Sequence, residues 1–280
     1  MQTTLTVSKP RLCASDEAAL EAAVEALERT SFAQRLTKVV GKRIALAGNL
    51  LPEKLQRAAT VVAHRALHRA LRVALDSLKG KEIKDMRLRH RQLAMATGAL
   101  GGAMGLASLP VELPISTTIM LRAIADIARA EGEDLGDPDA ALACLEVFAL
   151  GGHGENGKII DGGYIALRGL LAKSVSDAAG YFAAGGAAME SAPALARLVA
   201  AISSRFGVVV SQKTAAQAAP LVGAVSGALI NLAFTEHFQT LARGHFTVRR
   251  LEREYGAHDV RAEYARIARA AGYWPATATD

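Results

Sequence analysis

Two long stretches of this chain carry no charge, and they limit what it can fold into. Gln92–Val111 spans 20 residues and Thr214–Thr235 spans 22. Both are rich in Ala and Gly. Gly98 and Gly102, Gly101 and Gly105, and Gly223 and Gly227 stand four residues apart. On a helix that spacing puts small residues on one face, where a second backbone can approach closely. No alternating β-branched run exceeds Val208-Val209-Val210. Apolar periodicity elsewhere is helical. The pattern predicts an all-α fold, a single bundle of about nine or ten helices with closely packed Ala/Gly-rich core helices. No linker is evident, so residues 1–280 are read as one domain.

Start and stop signals place the elements. Ser15-Asp16-Glu17 opens a helix to about Arg29. Others are expected over Phe32–Ala47, from Pro52 to about Leu78, after Pro114 to Gly132, and from Asp137-Pro138 to Gly151. Tyr164–Gly185 and Pro193–Arg205 follow. A longer helix is expected through the second uncharged stretch to Tyr255, and a last one over Asp259–Ala271. Gly151–Gly163 holds six glycines in thirteen residues and reads as a surface loop.

Charge is uneven. From Arg35 to Arg91 there are 15 Lys/Arg against 4 Asp/Glu, while Glu112–Lys213 has 8 against 12. Lys79, Lys81, Lys84, Arg87, Arg89 and Arg91 crowd one short segment just before the first uncharged stretch. Such a segment suits an anionic partner, a lipid surface before a nucleic acid, since no aromatics interleave the charges to stack on bases. Each uncharged stretch has about the 20 residues a bilayer span needs. Weak apolarity, Pro110 and the 12 acids between the stretches favour a soluble or peripheral protein over insertion. Two cysteines and no apolar run after a basic start in Met1–Glu17 point to the cytoplasm.

Several blocks resemble the EcsC family of bacterial proteins. They are the glycine-rich stretch with Pro110-Val111-Glu112-Leu113-Pro114; Leu121-Arg122-Ala123-Ile124 continuing to Gly132; Tyr164 with Arg168; Pro220-Leu221-Val222-Gly223 with Gly227 and Asn231; and Ala242-Arg243-Gly244-His245-Phe246 followed by Arg249-Arg250-Leu251-Glu252. Residues 85–265 are the most family-like, with 1–84 as N-terminal basic helices. Glu112 stands where many members have Asp. The family is named for a protein encoded beside an ABC-type transporter. The resemblance therefore implies a fold and a membrane-related setting, and supplies no reaction.

Chemistry-bearing motifs are sparse. Gly152-His153-Gly154-Glu155-Asn156-Gly157 matches a dinucleotide pattern, but a helix precedes it where a strand is needed. Ile159 follows Lys158 where a P-loop needs Ser or Thr. His153, Glu155 and Asp161 are candidate ligands on that loop, although mobile glycines fix a metal poorly. His64 and His68 lack the H-E-x-x-H glutamate. His245 sits on an apolar stripe as a core histidine. No metal and no cofactor are expected. Glu112, Arg122, Tyr164, Arg168 and Asn231 are the candidate polar core or pocket residues. Arg122 has two readings, a surface charge beside Asp126 or a buried guanidinium between the small-residue helices.

These observations lead to a peripheral protein on the inner face of the membrane. It would bind an anionic surface or a membrane protein, with room for a lipophilic ligand, and serve an envelope or transport process. A hydrolase-like enzyme with its pocket under residues 151–164 is the alternative, and nucleic-acid binding through residues 35–91 ranks third.

Overall fold

The computed structural model describes residues 12–29, 31–40, 53–77, 95–97, 108–151, 163–183, 193–218 and 224–275. Among them every regular element is helical. The helices are α1 (Ala14–Val24), continued by a π-helical turn (Glu25–Arg29), α2 (Phe32–Val40), α3 (Glu53–Ser77) and α4 (Leu109–Ala130). Then come α5 (Pro138–Leu150), α6 (Gly163–Ala183), α7 (Pro193–Ala218), α8 (Ala224–Tyr255) and α9 (Ala257–Ala270). The all-α expectation holds.

α8 organises the bundle. Its 32 residues extend about 48 Å, at about 1.5 Å per residue. It packs against α1, α2, α4, α5, α7 and α9, while α3 lies between α4 and α7. Aromatics are only 5% of the chain, yet five phenylalanines meet at one point. Phe32, Phe148, Phe206, Phe234 and Phe238 come from α2, α5, α7 and α8, with ring centroids 5.1–6.0 Å apart. Burying each contributes roughly 1.5–3 kcal/mol. Small residues close the remaining gaps. A Cβ on Gly151 would stand 2.8 Å from the Phe238 ring, so the end of α5 meets α8 only because that side chain is missing.

Local signals set several ends. Asp137 caps α5 by accepting the Asp139 amide at 3.0 Å. Gly132 follows α4 at φ +79°, a conformation glycine adopts without a Cβ penalty. α1 begins at Ala14 rather than Ser15, and the Cys13 carbonyl accepts the Asp16 and Glu17 amides.

Two expected boundaries differ by more than a helical turn. α4 starts at Leu109, so Pro114 lies inside it rather than at its start. The amide that Pro114 lacks would have bonded Pro110, which is exposed near the helix end, so the loss is small. α7 runs on through Gly207 and the three valines to Ala218 instead of ending at Arg205. Gly207 faces Thr60 of α3, whose Oγ1 would lie 3.5 Å from an added Cβ. Close helix contact thus outweighs local strand propensity. Within Thr214–Thr235, residues 214–218 belong to α7 and residues 224–235 to α8, while residues 219–223 lie outside the described residues.

Candidate functional site

Among the described residues, two polar clusters are buried in this apolar bundle, at different levels of α8. The first joins α4, α7 and α8. Lys213 Nζ donates to Glu112 Oε1 at 2.7 Å and to Asn231 Oδ1 at 2.8 Å. Gln217 Nε2 donates to the other Glu112 oxygen at 3.2 Å, and Asn231 Nδ2 donates to Thr97 Oγ1 at 3.0 Å. The ammonium also lies 4.7 Å from the Phe234 ring centre. Lys213 and Asn231 are wholly buried. A lysine side chain buried this deeply needs a carboxylate and further acceptors around it, and here it has both.

Apolar side chains stand open around this knot. Eight large ones are exposed among the described residues. Five of them, Met95, Val111, Ile115, Val225 and Leu229, lie within two helical turns along the chain of Thr97, Glu112 or Asn231. Val111 and Val225 are the most open, at 67% and 76%. Val111 and Ile115 share a solvent-facing stripe of α4 with Arg122. Arg122 is therefore a surface residue. The neighbouring positions Leu121, Ala123, Ile124 and Ala125 are all buried, and they fix which way the helix faces. Asp126 turns to Arg129, 3.4 Å away.

The second cluster lies some fourteen residues further along α8, about 21 Å at helical rise. Tyr164 of α6 and His245 of α8 are wholly buried, with Tyr164 Oη 2.9 Å from His245 Nδ1. Among the described residues His245 Nε2 has no hydrogen-bond partner, and it faces Glu146 Oε2 of α5 at 3.8 Å. Burial holds the imidazole well below its ordinary value and so neutral, and burial raises the Tyr164 phenol. Burial also pushes Glu146 up to about 7, against the pull of Arg168 and Arg249. Arg168 donates to Glu252 at 2.9 Å and lies over the Tyr164 ring.

Glu28, on the π-helical turn, supports this cluster. Its Oε1 accepts the Tyr164 amide at 3.0 Å and the Tyr264 hydroxyl at 2.7 Å. Gly163 makes room for it, because at φ +50° an added Cβ would collide with the Glu28 carboxylate. A cavity of about 280 Å³ opens beside the cluster, lined by Glu146, Arg168, Arg249 and Arg261 among others. Arg249 is braced by Glu133 at 2.8 Å and Asp139 at 3.1 Å.

The candidates from sequence thus divide. Glu112 and Asn231 belong to the first cluster, Tyr164 and Arg168 to the second, and Arg122 to neither. The convergence of Glu112, Arg122, Tyr164 and Arg168 that a single hydrolase pocket required does not occur. His153, Glu155 and Asp161 lie outside the described residues, as do Lys79, Lys81, Lys84, Arg87, Arg89 and Arg91. No group of three or more metal-ligating side chains occurs among the described residues. Sequence reasoning missed Lys213, Gln217, Glu146 and Glu28. Glu146 did carry a signal, as the lone charge in Ala140–Leu150, where all eleven residues are buried.

Neither curated proteins nor solved structures match this chain. A family model does, over most of its length and across the blocks that build both clusters. The chain belongs to the EcsC protein family, whose model matches residues 17–251.

Proposed function

We propose that this protein works as a peripheral protein on the inner, cytoplasmic face of an anionic membrane, where it serves an envelope or transport process by binding lipid or a membrane protein. The supporting observation is the set of open apolar side chains around the Glu112–Lys213–Asn231 knot. Val111, Ile115, Val225 and Leu229 are single apolar tips on two helix starts that the knot ties together. Such tips enter the headgroup boundary without requiring a span. Arg122 follows on the same exposed stripe of α4, a cation on a long apolar stem of the kind that suits a lipid phosphate. In sequence, Met95 stands four residues after Arg91, the end of the basic segment. Basic residues near an anionic surface contribute roughly 1 kcal/mol each, screened by salt.

Insertion is a weaker account. Pro193–Gln217 is long and apolar enough to cross a membrane, with mean hydropathy 1.5, but half of its apolar window is buried inside the bundle. It also carries Lys213, bonded to two other helices.

Flotation tests the proposal. The full chain should float with phosphatidylglycerol/phosphatidylcholine vesicles at low salt and largely release at high salt. Val111→Asp with Val225→Asp should weaken flotation at both salts while leaving the melting midpoint unchanged. Absence of flotation with these vesicles at low salt, or double-variant flotation equal to the wild type, would reject it.

A further inference from the structure

We propose that the cavity between α5, α6, α8 and α9 is a binding site for a tetrahedral oxyanion, phosphate or the head of a phosphomonoester. Three guanidinium groups from three different helices line it, Arg168, Arg249 and Arg261. Each arginine has five N–H donors. Among the described residues Arg168 donates once to Glu252 and lies over the Tyr164 ring, Arg261 donates once to Glu252, and Arg249 donates three times to Glu133 and Asp139. Donors therefore remain on all three, and the acids that hold the guanidiniums in place leave them unspent. Arginines converging from several directions suit the four oxygens of a tetrahedral anion better than the two of a carboxylate.

The acids of the cavity do not oppose this. Asp139 is taken up by Arg249. Glu146 is 95% buried, makes no hydrogen bond to a described residue, and lines the cavity. Facing it are Asp139 on its own helix, Tyr164 and Arg168 on α6, and His245 and Arg249 on α8. α3, α4 and α7 also pack on α5, and none of them lines the cavity. In its neutral form Glu146 is a hydrogen-bond donor, the form an incoming anion selects. A cationic ligand would meet three guanidiniums instead. The about 280 Å³ leaves space beyond the anion, and Ile165 and Val175 give that space an apolar wall suited to a short ester body.

Binding should take up a proton at Glu146, because an anion nearby raises a carboxyl that burial already holds near 7. Affinity is then greatest below about pH 7 and falls above it. Sulfate is the probe for this arm, since its charge is the same at both test pH values.

Titration calorimetry on the full chain should show saturable sulfate binding, several-fold tighter at about pH 6 than at about pH 8. Arg261→Gln should weaken it roughly tenfold, a 1.4 kcal/mol difference, at unchanged melting midpoint. Ser176→Asp adds a negative charge on the exposed lining and should weaken it too. Glu146→Gln should bind equally at both pH values. Butyl phosphate against inorganic phosphate separates the sources, tighter ester binding marking a phosphomonoester and equal binding a free ion. No saturable binding of sulfate or phosphate at about pH 6 would overturn the site. So would full affinity in both Arg261→Gln and Ser176→Asp. The wild-type pH dependence persisting in Glu146→Gln would remove Glu146 from it.

Discussion

The Lys213 ammonium lies 2.7 Å from the Glu112 carboxylate, and both side chains are buried, one on α7 and the other on α4. Removing one partner leaves the other charge uncompensated in an apolar surround. Lys213→Met should therefore cost about 3–5 kcal/mol in urea unfolding. Adding Glu112→Gln should recover much of that loss, because the stranded charge is then gone. A single variant with wild-type stability would show that the pair is not closed in solution.

Glu146 makes a pH prediction. Burial raises its carboxyl from 4.5 to about 7, so the folded state holds this proton more tightly than the unfolded state. Its contribution to stability is full below about pH 4.5 and is lost as pH rises through about 7. At 1.36 kcal/mol per unit the loss is at most about 3 kcal/mol. Glu146→Gln has nothing to ionise. It should be more stable than wild type at about pH 8, with the gap closing toward about pH 5. His245 is depressed by burial, and its contribution falls as pH drops below the ordinary histidine range in both proteins. A gap that is constant with pH, measured by thermal melts, would contradict the burial of Glu146.

Gly244 is where α1 and its π-helical turn meet α8. An added Cβ would stand 2.8 Å from Leu27 Cγ and 3.2 Å from the Ala23 carbonyl oxygen. Gly244→Ala should lose about 1–3 kcal/mol despite alanine's better helix propensity. Among the described residues, nothing lies within 4 Å of the same position at Gly180 on α6. Gly180→Ala should instead be neutral or gain up to about 1 kcal/mol. Equal effects in the two variants would remove the close contact from the account.

Arg122→Met should change stability by no more than about 0.5 kcal/mol, as expected for an exposed helix position without a partner among the described residues. A loss of several kcal/mol in chemical unfolding would place the guanidinium inside the bundle.

Much of the helical framework was legible in the chain. Asp137-Pro138, Gly132 and Tyr255 mark ends that local chemistry dictates, since caps, left-handed glycines and periodicity act over one or two turns. The family blocks also drew attention to Glu112, Asn231, Tyr164 and Arg168. What they bond was not legible. Lys213 looked like the edge of an uncharged stretch, and only the packing of α4, α7 and α8 makes it the centre of a buried knot. Arg122 sits within a family block, yet its exposure depends on which face of α4 the bundle covers.

Helicity, the ends of most helices and the close packing that small residues allow are all written into the chain itself. These follow from spacing and from side-chain size, which are properties of neighbours along the chain. Tertiary structure decided which polar residues meet. Glu28 reaches Tyr164 and Tyr264, which are 136 and 236 positions away, and Glu146 faces His245 across two helices. Such partners are fixed by helix crossings, and a buried charge is chosen by whichever opposite or polar group the crossing brings within about 3 Å.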